Sequence, residues 1–186
     1  MLPKMPDSRR QREITSPPTS TAVSGWGLCA VGVTALIAAA IAMRQPGFNG
    51  WLATWVVEAV VAFTIALFSM HWKASRQGTD LFSTAGRRLV MGLLPALAAG
   101  GLLTAAIIWD SSARLIPGVW LLLYGIGVVQ AGALSVRIVP ALGIVFVVLG
   151  AIALPMPWLW ANGLLAAGFG LAHIGCGVVI AKKYGG

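Results

Sequence analysis

Long, nearly uninterrupted apolar runs divide the chain and are separated by short polar segments. A helix needs about 20 apolar residues to cross the ~30 Å hydrocarbon core of a bilayer, because it rises ~1.5 Å per residue. Strands of a membrane barrel would alternate apolar and polar residues, and these runs do not. The six runs cover residues 22–43, 50–70, 89–109, 115–134, 138–155 and 157–181. The pattern predicts an all-α polytopic membrane protein, with six transmembrane helices forming a single domain over residues 22–186.

Composition supports the same class. Hydrophobic residues make up 58% of the 186 positions and charged residues only 10%, whereas a soluble domain has about 25% charged residues to cover its surface. The longest polar stretches, residues 1–21 and about 71–88, are too short to bury a core of their own. The first is basic and contains Pro17 and Pro18, so we expect a flexible tail there.

Lysine and arginine predict the orientation of the helices. Eleven cations fall on one side of the predicted membrane and two, Arg44 and Arg114, on the other. The positive-inside rule then places both termini in the cytoplasm. The cations also favour contact with anionic lipid headgroups, whereas their dispersion argues against nucleic acid as a partner. The eleven are Lys4, Arg9, Arg10, Arg12, Lys73, Arg76, Arg87, Arg88, Arg137, Lys182 and Lys183.

An internal repeat is visible in the second half of the chain. Residues 125–132 match residues 168–175 at an offset of 43, which makes Gln130 equivalent to His173, while Pro95 matches Pro140 at an offset of 45. We therefore expect helices three–four and five–six to be tandem hairpins related as a parallel repeat. Small residues let membrane helices approach closely. The repeat predicts six packing glycines, namely Gly125, Gly127, Gly132, Gly168, Gly170 and Gly175.

A family resemblance rests on four stretches spread over nearly the whole chain. They are Thr21–Gly27, Leu115–Gly125, Ser135–Pro140 and Ala181–Gly186. Together they resemble a family of small, uncharacterised bacterial membrane proteins. More distantly, the two-helix repeat is similar to the six-span HdeD-type acid-resistance membrane proteins. The second resemblance implies a membrane location and a role in stress protection, and it transfers no functional residue.

Glu58 is the most informative polar residue within the apolar runs. A charged carboxylate near the centre of a membrane helix costs at least ~2.5–3.5 kcal/mol, so such residues usually face the interior of a bundle. One interpretation is a site that relays protons or cations. The other is a neutral carboxyl group that forms a hydrogen bond to a neighbouring helix.

Gln130 and His173 form a second candidate polar site. If helices four and six are neighbours, these two side chains are expected to line one polar spot near the cytoplasmic side. The histidine would then accept protons or sense pH. The structural alternative is a hydrogen bond between helices that fixes their packing. Asp110 and Arg114 flank a short outer turn, where a surface ion pair is expected.

The remaining residues narrow the class of function. His71, His173, two separated cysteines and five dispersed acidic residues show no metal-ligand spacing, so neither a metal nor another cofactor is predicted. No nucleophile and base form a recognisable motif, which argues against an enzyme. A non-enzymatic accessory or stress-response membrane protein is favoured, with a homo-oligomer or a partner subunit as its context. The alternative is a small-solute or proton-coupled transporter, or the substrate-binding membrane subunit of an importer, using Glu58, Gln130 and His173.

Overall fold

The computed structural model describes residues 23–76, 84–133 and 135–184, so the predicted flexible tail at residues 1–21 lies outside the described residues. Helices dominate the described residues, and no strand occurs among them. The six helices are α1 Gly25–Ala42, α2 Phe48–Arg76, α3 Thr84–Trp109, α4 Ala113–Gly132, α5 Ile138–Ala153 and α6 Trp158–Tyr184. Each one coincides with a predicted apolar run. The prediction of an all-helical chain is confirmed.

Two of these helices are composite. The first turn of α4, Ala113–Leu115, is a 3₁₀ helix, and the rest is α-helical. The last helix, α6, begins with the 3₁₀ turn Trp158–Trp160 and changes to a π-helix over Ala166–Ala172. It then returns to α-helix at His173–Tyr184.

The helices differ in how well they match the thickness of a bilayer. Five are long and apolar enough to cross a membrane. The exception is α5, whose 16 residues give a length of about 24 Å at ~1.5 Å per residue. It ends at Ala153, before Pro155 and Pro157, which lack the backbone N–H that continues a helix. By contrast, α2 extends six residues beyond its predicted end, through Arg76.

The bundle consists of two groups of three helices. In the first group, α1 packs against both α2 and α6, and in the second, α4 packs against both α3 and α5. The last helix also touches α4 and α5 and so joins the groups. Most of the fully buried side chains lie at this junction, including Phe146, Leu121 and Leu165. The outer helices α2 and α3 are the least enclosed spans, with 11% and 6% of their apolar windows buried.

A row of glycines brings α4 and α5 together. A Cβ atom placed on Gly125 would lie 2.7 Å from Gly143 O and 2.8 Å from Val147 N. One on Gly150 would lie 3.0 Å from Gly118 O and 2.7 Å from Leu122 N. Real Cβ atoms do not approach backbone atoms this closely, so only glycine fits. We call this contact the α4/α5 seam.

A second row of glycines joins α1 to α6 in the same way. A Cβ on Gly177 would lie 2.7 Å from Gly25 O and 2.8 Å from Cys29 N, and one on Gly32 would lie 2.6 Å from Gly170 O. We call this contact the α1/α6 seam. In both seams, glycines on the same helix are seven residues apart, a spacing that returns a residue to the same face after two turns.

The predicted packing glycines have mixed outcomes. Three of them face the partner helix of their own seam closely, namely Gly125, Gly132 and Gly170. Gly127 instead faces α3, where its Cβ would lie 2.9 Å from Ala96 Cβ, and Gly168 faces Leu121 of α4. The prediction is wrong for Gly175, because a Cβ there would meet nothing within 4 Å.

The alignment that makes Gln130 equivalent to His173 is also at odds with the structure. Gln130 is exposed, whereas His173 is buried. Shifting the alignment by two residues gives an offset of 45 and matches Gln130 to Gly175, which is exposed too. The same shift matches Gly125 to Gly170, and both of these are seam glycines. Burial therefore favours the offset that the prolines of α3 and α5 already show.

Candidate functional site

Glu58 lies in a groove between α1 and α2. It follows the first residue of α2 by ten positions, which places it about 15 Å along the helix axis at ~1.5 Å per residue. Glu58 is 7% exposed, and its Oε1 lies within hydrogen-bonding distance of Thr34 Oγ1 of α1, at 2.9 Å. The groove has a volume of about 530 Å³. Its other walls are mostly apolar, and Ile37, Thr54 and Val57 are among them.

The hydroxyl group of Thr34 has two neighbours. Its Oγ1 lies 2.9 Å from Val31 O and 2.9 Å from Glu58 Oε1. A hydroxyl group carries a single proton, which it donates to one acceptor at a time at full strength. The two contacts can both be full hydrogen bonds if each has its own proton. Thr34 then donates its proton to Val31 O, and a protonated Glu58 donates its proton to Thr34 Oγ1. The geometry thus fits a neutral carboxyl group.

His173 lies in an aromatic cage between α4, α5 and α6. It is 1% exposed, and its Nε2 lies 2.8 Å from Tyr124 Oη. The rings of Tyr124, Phe146 and Phe169 surround it, with centroids 5.2 Å from Phe146 and 6.2 Å from Phe169. Its Nδ1 has no hydrogen-bond partner among the described residues. His173 lines neither the groove at Glu58 nor the cavity described below. Its ring contacts join α4, α5 and α6.

The predicted pairing of Gln130 with His173 is not formed. The histidine meets Tyr124 of α4 instead, while Gln130 points away from the cage and is exposed. The physical reason is the position of Gln130 on α4. It follows Tyr124 by six residues, which turns its side chain about a third of a turn away from the side that faces the cage. Of the three predicted polar residues, Glu58 and His173 are buried in separate places and Gln130 is in neither.

Asn162 organises a third polar cluster, where α2 meets the start of α6. Its Oδ1 accepts hydrogen bonds from the indole Nε1 of Trp51 at 2.7 Å and of Trp55 at 3.2 Å. Trp51 also stacks on Trp120 of α4, with ring centroids 5.7 Å apart and planes inclined by 11°. Trp120 in turn donates to Thr104 Oγ1 of α3 at 2.7 Å. Four helices are therefore tied together through tryptophan side chains at this end of the bundle.

No protein-family model, curated protein or solved structure matches this chain.

Lys73 is a buried cation near the end of α2, in the polar stretch that follows the second predicted apolar run. It is 5% exposed, and its Nζ donates to Val23 O at 3.2 Å. The ammonium group thereby ties the end of α2 to the start of α1. Its position one turn from a helix end gives no sequence signal for burial, because lysines at such positions usually extend toward the headgroups.

The predicted ion pair between Asp110 and Arg114 is not formed. Asp110 Oδ2 accepts a hydrogen bond of 2.9 Å from the hydroxyl group of Ser112. Arg114 is exposed and has no ionic partner among the residues that the structure describes. The 3₁₀ turn at the start of α4 and the turn before it separate the two side chains.

Three residues of these polar clusters are not singled out by the sequence, namely Thr34, Tyr124 and Asn162. Asn162 could have been recognised from the sequence as a candidate polar residue, because it is an amide next to an apolar run and close to Trp158 and Trp160. Thr34 and Tyr124 carry none, because threonine and tyrosine are common in membrane helices and become informative only beside a partner.

Proposed function

We propose that this chain is a six-span integral membrane protein with a non-enzymatic, accessory role in a bacterial inner membrane. Its termini are cytoplasmic, its cytoplasmic face contacts anionic headgroups, and it works as a homo-oligomer or with a partner subunit. The stress-protection role implied by the resemblance to HdeD-type proteins is one form of this function. Apolar helices that are long enough to cross a bilayer support the membrane location.

One observation carries the accessory role: the polar side chains inside the bundle are paired with each other. The pairs are Glu58 with Thr34, His173 with Tyr124, and Asn162 with two indoles. Each pair joins two helices, and hydrogen bonds of this kind hold membrane helices in register. A relay for protons or ions would need a chain of such groups from one end to the other. Among the described residues, no hydrogen bond links one of these three pairs to another.

Reporter fusions test the topology. A reporter that is active only in the cytoplasm should be active when fused after Gly186. The same reporter should be inactive in the turn between α1 and α2, at Gly47, because the eleven-to-two cation bias places that turn outside. Activity at both positions would contradict the proposed six-span topology.

A second candidate function, proton-coupled or solute transport, is favoured by a specific observation. The groove at Glu58 is open along α1 and α2 and reaches from the α1–α2 turn, where Gln45 lines it, to the buried carboxyl group. A buried ionisable group at the bottom of an accessible groove is a common arrangement in transporters.

Two substitutions of Glu58 separate the candidate functions. Purified protein is reconstituted into liposomes that contain a pH-sensitive dye, and proton flux is driven by a potassium gradient. The accessory role predicts flux equal to that of empty liposomes for wild type and Glu58→Gln alike. It also predicts that Glu58→Leu destabilises the fold by about 0.6–2 kcal/mol, because leucine cannot bond to Thr34. Flux in the wild type that is lost in Glu58→Gln, with unchanged stability, would refute the accessory role and establish transport.

A further inference from the structure

A large cavity opens at the end of the bundle where three turns meet, those of α1–α2, α3–α4 and α5–α6. Its volume is about 560 Å³, within the ~300–1,000 Å³ range of sites for small molecules. Both aromatic rings and polar groups line it. The residues that matter here are Phe48, Trp51 and Trp158, which we call the aromatic wall, with Ser111, Arg114 and Asn162, which we call the polar wall.

The aromatic wall is rigid and partly open. Trp51 is 3% exposed and is held by its bond to Asn162 and by stacking on Trp120. Trp158 packs against it with centroids 4.6 Å apart and planes inclined by 59°, and Trp158 is 40% exposed. A flat apolar group can therefore lie against Trp158 and Phe48 without moving the buried indole. Preorganised aromatic surface of this kind lowers the entropic cost of binding.

The orientation of the Asn162 amide follows from its neighbours. Indole N–H groups are donors only, so the two tryptophans that approach Asn162 require its oxygen to face them. The amide nitrogen is then on the opposite side, with both of its protons available. Among the described residues this nitrogen has no hydrogen-bond acceptor, and it is not fully buried. The amide N–H groups of Asn162 can therefore donate hydrogen bonds to a ligand in the cavity.

The charge of the polar wall is positive. Arg114 lines the cavity, and the exposed Arg44 lies in the adjacent α1–α2 turn. The nearby carboxylate, Asp110, is not part of the lining and accepts a hydrogen bond from Ser112. Aromatic faces alone attract cations, but an arginine in the same cavity repels them. Ser111 lines the same wall with a φ of 58°, a left-handed conformation that is strained for a serine and is often found at binding sites.

We propose that this cavity is a binding site for an oxyanion, a carboxylate or a phosphate, attached to a flat apolar body. The apolar body lies against Trp158 and Phe48, and the oxyanion accepts hydrogen bonds from Arg114 and from the amide nitrogen of Asn162. A soluble aromatic acid offers both parts, and the headgroup of an anionic lipid offers the same oxyanion beside the apolar start of its acyl chains. The site goes beyond the proposed accessory role and does not depend on which side of the membrane the cavity faces.

Tryptophan fluorescence of the full-length protein in nanodiscs tests the site. The probe is 2-naphthoate, and its uncharged amide, 2-naphthamide, is the control ligand. In nanodiscs of phosphatidylcholine, naphthoate should quench the emission saturably and bind about tenfold more tightly than naphthamide, because only naphthoate can pair with Arg114. Equal affinities for the two ligands, or quenching that does not saturate, would overturn the proposal.

Variants locate the binding to the two donors. Arg114→Gln should weaken naphthoate about fivefold to tenfold and leave naphthamide unchanged. Asn162→Asp keeps an oxygen for both indoles but replaces the donor with a negative charge, so it should also weaken naphthoate selectively. Arg137→Gln is the matched control, since Arg137 is an exposed arginine at the opposite end of the bundle. An equal effect of Arg114→Gln and Arg137→Gln would show that bulk charge drives binding, and the site would be refuted.

The lipid composition of the nanodisc identifies the source of the oxyanion. If anionic lipid occupies the cavity, adding phosphatidylglycerol should compete with naphthoate in the wild type and lose this effect in Arg114→Gln. An unchanged naphthoate affinity would assign the site to a soluble ligand. Both results support an oxyanion site. Because binding is measured on purified protein, a negative result leaves the test of topology unaffected.

Discussion

The two glycine seams have the same construction, but only the α1/α6 seam has a buried histidine on one of its own helices. An aromatic residue precedes a seam glycine in each helix pair, Tyr124 before Gly125 in α4 and Phe169 before Gly170 in α6. Three residues after the glycine, α4 has Val128 and α6 has His173, and both are buried. The backbone also differs, since α4 is a regular α-helix at this point and α6 is a π-helix over Ala166–Ala172.

This difference shows that the seam glycines and the residues beside them have different structural roles. The seam fixes how closely two helices approach, because backbone atoms are in contact where side chains are absent. The neighbouring positions then decide what lies in the core, an aliphatic side chain in α4 and a histidine in α6. π-Helical segments occur frequently at functional positions, and here the segment ends at the buried histidine. The group of α1, α2 and α6 contains the polar residues Glu58, Lys73, Asn162 and His173. No buried charged residue is described in the group of α3, α4 and α5.

The largest expected effect comes from filling a seam. Gly125→Leu and Gly32→Leu each place a side chain where a Cβ alone would lie 2.6–2.7 Å from a backbone oxygen of the facing helix. We expect each to cost about 3 kcal/mol or more, because two helix backbones must separate. Thermal unfolding in detergent and the yield of monodisperse protein measure the loss.

Gly175→Leu is the matched control for both seam variants. A Cβ at Gly175 meets nothing within 4 Å, so we expect near-wild-type stability. If only one of the two seam variants destabilises the protein, the two seams are not equivalent in strength, and the comparison between them fails.

An intermediate effect is expected at the aromatic cage. Tyr124→Phe removes the partner of His173 Nε2 and leaves a fully buried imidazole with no hydrogen bond to a side chain. The cost should be about 1–3 kcal/mol, the range for a buried polar group that loses its partner. Denaturant unfolding provides the measurement.

Tyr184→Phe serves as the control for the cage, since Tyr184 lies in the last turn of α6 and is only partly buried. It should change stability by less than about 0.5 kcal/mol. A second control, His173→Val, copies the residue that α4 carries at the corresponding position. Combined with Tyr124→Phe, it should cost less than the sum of the single changes, because both remove the same bond. Additive costs would show that the two side chains do not interact.

The smallest effect is expected at the groove. Thr34→Val keeps the shape of the side chain and removes the hydroxyl group between Val31 O and Glu58. Hydrogen bonds between membrane helices average about 0.6 kcal/mol, so a destabilisation of that size is expected. A double-mutant cycle with Glu58→Leu isolates the pair, and a coupling energy of zero would show that the contact does not stabilise the fold.

The helices could be predicted from the sequence because each depends on a local property, the hydropathy of a continuous run. Their ends were predicted less well, as at α2, where amphipathic residues after the apolar run continue the helix to Arg76. Glu58 could also be recognised, since an acidic residue within an apolar run is conspicuous by itself. Its partner could not, and the same holds for the partners of His173 and Asn162.

Partners of polar groups are set by contacts between helices that are distant along the chain. Glu58 and Thr34 are 24 positions apart, His173 and Tyr124 are 49 apart, and Trp55 and Asn162 are 107 apart. A shift of two residues in the register of one helix would exchange these contacts for others. The predicted equivalence of Gln130 with His173 illustrates this effect, because it pairs an exposed residue with a buried one.

The sequence by itself determined that the described residues form apolar helices and where along the chain these helices lie, because hydropathy acts on each segment independently. Only the tertiary structure decided which faces of those helices meet. Glycine spacing allows close approach on several faces, and Gly175 shows that a glycine in a matching pattern can face open space. The pairing of α1 with α6, the aromatic cage and the cavity at the three turns all follow from that choice, since each is built from residues of several helices.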